Sequence, residues 1–199
     1  MLGLPASTTL SKQLPKKAFY EKFEVTASDR VKIDAVIAKL TIIHEVSPAS
    51  STLPAGEEVK CFHVLQVTLK TKTFDERILT KVLKWMPSHV VFLLEYQGEY
   101  ALAVYHTKLF CTAWSQETAL FLPLTGLDLD AVWKNIILHI GGIVLEAGRT
   151  IEEQIEVDTA RARILHQIEQ LDRQARKEIQ PKRKFELVQE INALRKELM

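Results

Sequence analysis

Two acids and a lysine give this sequence its one metal-assisted reading. A restriction-type nuclease holds Mg²⁺ with an acid on one strand and an acid-x-lysine on the next, the lysine polarising the attacking water or the scissile phosphate. Glu45, in a β-branched stretch, and Glu58-Val59-Lys60, at the following loop-to-strand boundary, stand in that order. The strand that leads into the next helix carries Thr68-Leu69-Lys70, without the acid that the arrangement needs, and Glu58 and Lys60 also suit an ordinary polar boundary. The 6 histidines, His44, His63, His89, His106, His139 and His166, are dispersed, with no HxH, HxxxH or HExxH. The first four meet, with Glu95 as a carboxylate ligand, only if their strands are neighbours. Zinc needs three or four ligands in fixed geometry, so the spacing assigns no metal and no cofactor. Phosphate loops of the GxxxxGK[ST] and GxGxxG types are absent from the sequence, as is a GxSxG nucleophile elbow.

Basic residues make the densest local signal. Arg176, Lys177, Lys182, Arg183 and Lys184 surround Pro181, with Glu178 the one acid among them. Such a cluster is either a solvated turn or a dock for phosphate backbone or an acidic partner. Lys12, Lys16, Lys17 and Lys22 form a second, looser stretch. The aromatic interleaving that single-strand binders use for stacking is missing around Pro181, where Phe185 alone is close.

The elements that position these residues follow from periodicity. Residues 1–17 read as irregular, with Pro5 and Pro15 bracketing a Ser/Thr stretch. Phe19, Tyr20 and Phe23 share one face of a short helix. Thr26 or Ser28 then caps a second helix whose apolar face is Val31, Ile33, Val36, Ile37 and Leu40, and Leu40 to Val46 reads as a strand. After a loop over 47–57, the segment 58–70 alternates in its second half as a half-buried strand does. Asp75 caps a helix carrying Ile78, Leu79, Val82, Leu83 and Met86, which Pro87 ends. His89 to Tyr96 and Tyr100 to His106 form a hairpin about Gly98, Lys108 to Trp114 continues the meander, and Leu120 to Leu124 reads as an edge strand. Asp128 opens a last helix with Ala131, Val132, Ile136 and Ile140 inward, closed by Gly141-Gly142. Cys61 and Cys111, in apolar segments without CxxC spacing, read as reduced core thiols, and Trp85, Trp114 and Trp133 as core packing.

From Thr150 onward the composition changes: no glycine, Phe185 as the one aromatic, Pro181 as the one proline. Thr150 and Glu153 have capping-box spacing. Ile151, Ile155, Ile164, Ile168, Leu171, Ala175 and Ile179 follow helical steps, and the pattern resumes with Phe185, Val188, Ile191, Leu194 and Leu198. A proline costs about 3 kcal/mol in a helix interior, so the segment turns near Gln180 and forms a helical hairpin or coiled coil. The expected fold is therefore α+β over 1–149, a largely antiparallel or mixed sheet with flanking helices, followed by the helical appendage 150–199.

Composition bounds the rest. The 199 residues are 47% apolar, with 26 Lys and Arg against 25 Asp and Glu, which gives a net charge of +1. That excludes disorder and bulk electrostatic attraction to nucleic acid or membrane, though not a local basic patch. The longest apolar run, Ile136 to Leu145, is about half the roughly 20 residues a bilayer needs, and the N-terminus lacks a signal-peptide core, so the expected location is cytoplasmic, with no membrane partner.

The opening Met-Leu-Gly-Leu-Pro-Ala-Ser-Thr, Pro15-Lys16-Lys17 before an aromatic helix, Val67-Thr68-Leu69-Lys70 and Phe92-Leu93-Leu94-Glu95-Tyr96 stand in an ordered series. With Ala103-Val104-Tyr105-His106-Thr107-Lys108 and the charged terminal hairpin, the series resembles the bacterial and archaeal domain-of-unknown-function 4391 family over nearly the whole chain. That family has no established activity, so the resemblance transfers no catalytic residue. It implies an accessory role in restriction or phage-defence gene clusters, beside helicases and DNA methyltransferases. The expectation is a non-catalytic accessory protein that joins a protein partner or a second copy of itself. Leu171, Ile179, Val188, Ile191 and Leu194 would lie in the helical interface, with the basic residues presenting charge. The rivals are a Mg²⁺-dependent nuclease using Glu45, Glu58 and Lys60, and nucleic-acid binding by the basic tip.

Overall fold

The computed structural model describes residues 2–86 and 88–198, and the chain divides into two compact units, Met1–Ile143 and Val144–Met199. The fold is α+β. In the first unit, β1 (Thr9–Gln13), β2 (Ile37–Val46), β3 (Phe62–Leu69), β4 (His89–Tyr96), β5 (Glu99–Tyr105) and β6 (Leu109–Cys111) form one mixed sheet in sequence order. All neighbours are antiparallel except β3 and β4, whose parallel pairing runs from Phe62 opposite His89 to Thr68 opposite Glu95. A parallel pair needs a crossover instead of a tight turn. The intervening segment supplies one in α3 (Arg77–Lys84).

Helices cover both faces, which explains why Val90 to Leu94 is an unbroken buried run instead of an alternating one. On one face α1 (Lys16–Lys22), α2 (Ala27–Val36) and α3 place Phe19, Tyr20, Ile33, Ile78, Leu79 and Val82 against Leu65, Val67, Phe92 and Leu94. On the other, α4 (Leu129–Gly141) lies over β5 and β6, with Trp133 5.7 Å from Phe62 between ring centroids. Asp128 caps α4 by accepting from Ala131 N–H at 2.8 Å, and Gly142, at φ 60°, ends it in the left-handed conformation that favours glycine.

α4 also anchors the loop that opens β3. The Asp130 carboxylate accepts from the backbone N–H of Glu57 at 2.6 Å and of Val59 at 2.7 Å, with Glu58 N–H at 3.2 Å. The approach is so close that a Cβ on Gly56 would collide with the Asp130 carboxylate. Glycine is required there by contact, not by backbone conformation.

Several expectations are corrected. Thr9–Gln13 is an edge strand inside the stretch read as irregular, and all five residues are exposed, so no burial pattern marks it. Thr26 is the cap of α2, but Val31 is 70% exposed, and Ile37 and Leu40 belong to β2. The register of β2 slips between Ile42 and His44, which breaks its alternation. Strand β3 begins at Phe62, so Glu58 and Lys60 sit in the preceding loop. Leu120 to Leu124 forms no strand: it follows a 3-10 turn, Glu117–Ala119, with Leu122 buried and Phe121 exposed. Cys111 is exposed on the edge strand and Cys61 half-buried, so neither is a core thiol. The helix terminator Pro87 lies outside the described residues.

The second unit contains α5 (Ile151–Lys177) and α6 (Pro181–Glu197), packed together. The capping box forms: Thr150 Oγ1 accepts from Glu153 N–H at 3.2 Å, and the Glu153 carboxylate accepts from Thr150 N–H at 2.9 Å. Pro181 stands at the first position of α6, where its missing N–H has no helical partner to lose. The buried residues of this seam are Ile168 and Ala175 on α5 and Ile191 on α6, with Leu187 and Leu194 half-buried.

Candidate functional site

Among the described residues, each unit has a place that gathers groups able to do chemistry. In the helical unit, residues 178–180 reverse the chain and the five basic residues flank them. Their charges are not equivalent. Arg176 pairs with Asp172 at 2.7 Å and Arg183 with Glu178 at 3.6 Å, whereas Lys177, Lys182 and Lys184 have no carboxylate partner among the described residues. Apolar side chains are exposed in the same stretch: Ile179 at 92% and Phe185 at 62%, with Val188, one turn further along α6, exposed as well.

The expected interface residues therefore separate. Ile191 is buried inside the hairpin, and Leu171 and Leu194 are half-buried, while Ile179 and Val188 face outward. Phe185, read from the sequence as an inward position, is instead part of the exposed set, and Leu187 takes the inward place. The two stand two residues apart on α6, about 200° around the helix, so when one faces the seam the other faces away from it.

In the sheet unit, β2, β3 and the entry to β4 bring Glu45, His63 and Ser88 together. His63 Nδ1 is 2.6 Å from Ser88 Oγ, and its Nε2 is 3.4 Å from the Glu45 carboxylate. Glu45 and His63 are register partners across β2 and β3, while Ser88 arrives one residue before the parallel strand β4. With Nε2–H directed at the carboxylate, Nδ1 accepts the serine O–H, so both ring nitrogens are engaged. The carboxylate–imidazole–hydroxyl order matches a nucleophile relay. Yet His63 borders a cavity of about 320 Å³ walled by α1 and Trp85, whereas Ser88 borders another, of about 240 Å³, with His89, Tyr105 and Trp133. The hydroxyl and the aromatic cavity do not share a space, and the relay fixes the imidazole in place. No sequence spacing announces it, because Ser88 is 25 residues from His63.

The acids and lysine singled out for metal chemistry are engaged separately. Glu45 turns to His63, Lys60 Nζ donates to the Gly56 carbonyl at 2.8 Å, and Glu58 is exposed on the loop that Asp130 holds. His44 is buried against Thr8 Oγ1 at 2.9 Å, and burial lowers its pKa. His89 stands edge-on to Trp133, and burial again lowers its pKa. Glu95 accepts from Gln66 Nε2 and Thr68 Oγ1, each at 2.9 Å. Among the described residues no group of three or more His, Cys, Asp and Glu side chains is arranged to hold a metal ion. No helix among them is long and apolar enough to cross a membrane.

Neither the curated proteins nor the solved structures contain a match to this chain. A family model does match, over residues 2–198, essentially the whole chain, and the protein belongs to the family that it describes, Domain of unknown function (DUF4391).

Proposed function

We propose that this protein is a non-catalytic accessory protein that assembles with a protein partner through the turn of its C-terminal hairpin. The observation that supports the reading is the composition of that turn: Ile179, Phe185 and Val188 are exposed in the same stretch of sequence as three lysines that have no carboxylate partner among the described residues. Phosphate backbone is bound by charge and hydrogen-bond donors, and gains nothing from an aliphatic side chain exposed in this way. A protein surface buries apolar groups at the centre of the contact and meets charge at its rim. The turn has that composition, and the complementary partner surface is apolar with an acidic border. The family resemblance points to a helicase or DNA methyltransferase of a restriction or phage-defence system as its owner.

The test is co-purification of the tagged full-length chain from its native host, beside an Ile179→Ser, Phe185→Ser double variant and Arg183→Glu. The expected result is a DNA-processing enzyme recovered in stoichiometric amount by the wild-type chain and lost with the double variant. Equal recovery by all three chains overturns the reading. Retention of duplex DNA by the wild-type and the double variant alike, abolished by Arg183→Glu and by added salt, replaces it with nucleic-acid binding. Self-association sensitive to the double variant makes the partner a second copy.

A further inference from the structure

We infer that the cavity bordered by His63 is a binding site for a planar aromatic ligand that carries an anionic group. The cavity, about 320 Å³, is close to the lower end of small-molecule sites. Its walls are aromatic. Phe23 and Trp85 lie nearly parallel, at 22° with centroids 6.4 Å apart, and Phe19 meets both edge-on at 5.1 Å. These mutual contacts hold the rings in place before any ligand arrives, and a flat ring is the shape that such walls accept with least loss.

The charge at the rim selects an anion. Lys12 from β1 and Lys22 from α1 both border the cavity, and neither has a carboxylate partner among the described residues. Lys22 Nζ stands over the Phe23 ring, 5.2 Å from its centroid, so a cation lies against the aromatic wall. The neighbouring Lys16 is not available for the same task, since its ammonium is bonded to Asp34 and to the Ile37 carbonyl. Glu45, opposite His63 on β2, is turned to that imidazole. Lys12 and Lys22 thus border an aromatic recess without a carboxylate partner among the described residues, whereas Glu45 is engaged with that imidazole. The site rests on the sheet unit alone and stands or falls separately from the hairpin reading.

Two sources share this chemistry, nucleoside monophosphates and aryl carboxylates, and calorimetric titration of the full-length protein distinguishes them. Adenosine 5′-monophosphate and indole-3-acetate are the probes, with adenosine and inorganic phosphate as controls that lack the anion or the ring. Saturable binding of at least one probe is expected, with both controls weaker by about tenfold or more, equivalent to ~1.4 kcal/mol. Lys12→Glu with Lys22→Glu, two exposed positions whose change leaves the core untouched, weakens the bound probe by a similar factor, as does Trp85→Leu. The stronger probe names the source. Phosphate binding as well as the monophosphate, adenosine binding as well as its phosphate, no probe saturating at millimolar concentration, or affinity unchanged in the lysine variant overturns the site.

Discussion

Helix α4 buries Leu129, Val132, Trp133, Ile136, Ile137 and Ile140 in 13 residues, whereas α6 buries Ile191 alone in 17. Both helices begin with a recognisable signal, a capping aspartate in one and an N1 proline in the other. What differs is the neighbour. α4 lies on a sheet and α6 on one other helix, so a wide apolar face is needed in the first case and a narrow seam in the second. Burying an Ile or Leu side chain contributes about 1.5–3 kcal/mol, and helices of this length are marginal in water without tertiary contacts. The sheet unit is thus stabilised redundantly, while the hairpin depends on a few residues. Of its remaining apolar side chains at the turn, Ile179 is almost wholly exposed and Phe185 and Val188 are exposed in large part, and the proposal that a partner covers them follows from that imbalance.

The comparison breaks first at the core. Phe92 is fully buried in the central strand, and Phe92→Ala should cost about 3–5 kcal/mol in urea denaturation. A loss below about 1 kcal/mol would mean that the sheet is far less tightly packed than its burial indicates. Ile191→Ala tests the other side. Its expected cost is at the lower end of the range for such truncations, about 2 kcal/mol, because the seam is bordered by exposed residues on both flanks. Hydrogen exchange reads where the loss falls. Amides of α5 and α6 should lose protection while those of β3, β4 and β5 keep theirs; equal loss in both units would show that the hairpin seam and the sheet core unfold as one.

Local signals carried further in the sequence than non-local ones. The Thr150 capping box, the Asp128 cap and the Pro181 turn each lie within a few residues, and all three are where their spacing places them. Strand β1 escaped because its five residues are exposed and its existence depends on pairing with β2, far along the chain. Ile37 escaped because a helix face and the strand that follows share β-branched residues, and periodicity cannot separate them at the join. The aromatic cavity was legible in part: Phe19 and Phe23 share a helical face by spacing. Trp85 and His63 reach it from α3 and β3 through tertiary packing, for which a single sequence has no period. The exposure of Phe185 was illegible for a subtler reason. A thin seam leaves two registers of the same helix nearly equal in apolar content, and only packing against α5 chooses between Phe185 and Leu187.

Asp130 sharpens the comparison through pH. The N–H of Val59, with those of Glu57 and Glu58, holds its carboxyl below the usual carboxylate range. A folded-state pKa below the unfolded value of about 4 means that the unfolded chain binds the extra proton between the two. The stability Asp130 confers is present above the unfolded value and is lost as pH falls through the folded one. The gap in stability between wild type and Asp130→Asn should therefore be constant from pH 7 to 5 and narrow as pH falls below about 4. A gap that does not change with pH would assign the loop's order to Gly56 packing and the amide-compatible hydrogen bonds, without a contribution from charge.

The smallest effect on stability is the one that weighs most on function. Ile179 is 92% exposed, and its backbone N–H donates to the Glu178 carboxylate at 2.9 Å, a bond that any side chain preserves. Ile179→Ser removes no buried surface and should leave the unfolding midpoint within about 0.5 kcal/mol of wild type. A single exposed isoleucine would need no explanation, but Phe185 and Val188 are exposed in the same stretch, and the accessory reading takes the three as the contact with a partner. If the serine variant is as stable as wild type and loses the partner, the turn is an interface and the hairpin a presenting arm. If it is destabilised by 1 kcal/mol or more, Ile179 packs inside its own hairpin in solution. The asymmetry between a redundant core and an outward-facing turn then disappears, and the accessory reading loses the observation that supports it.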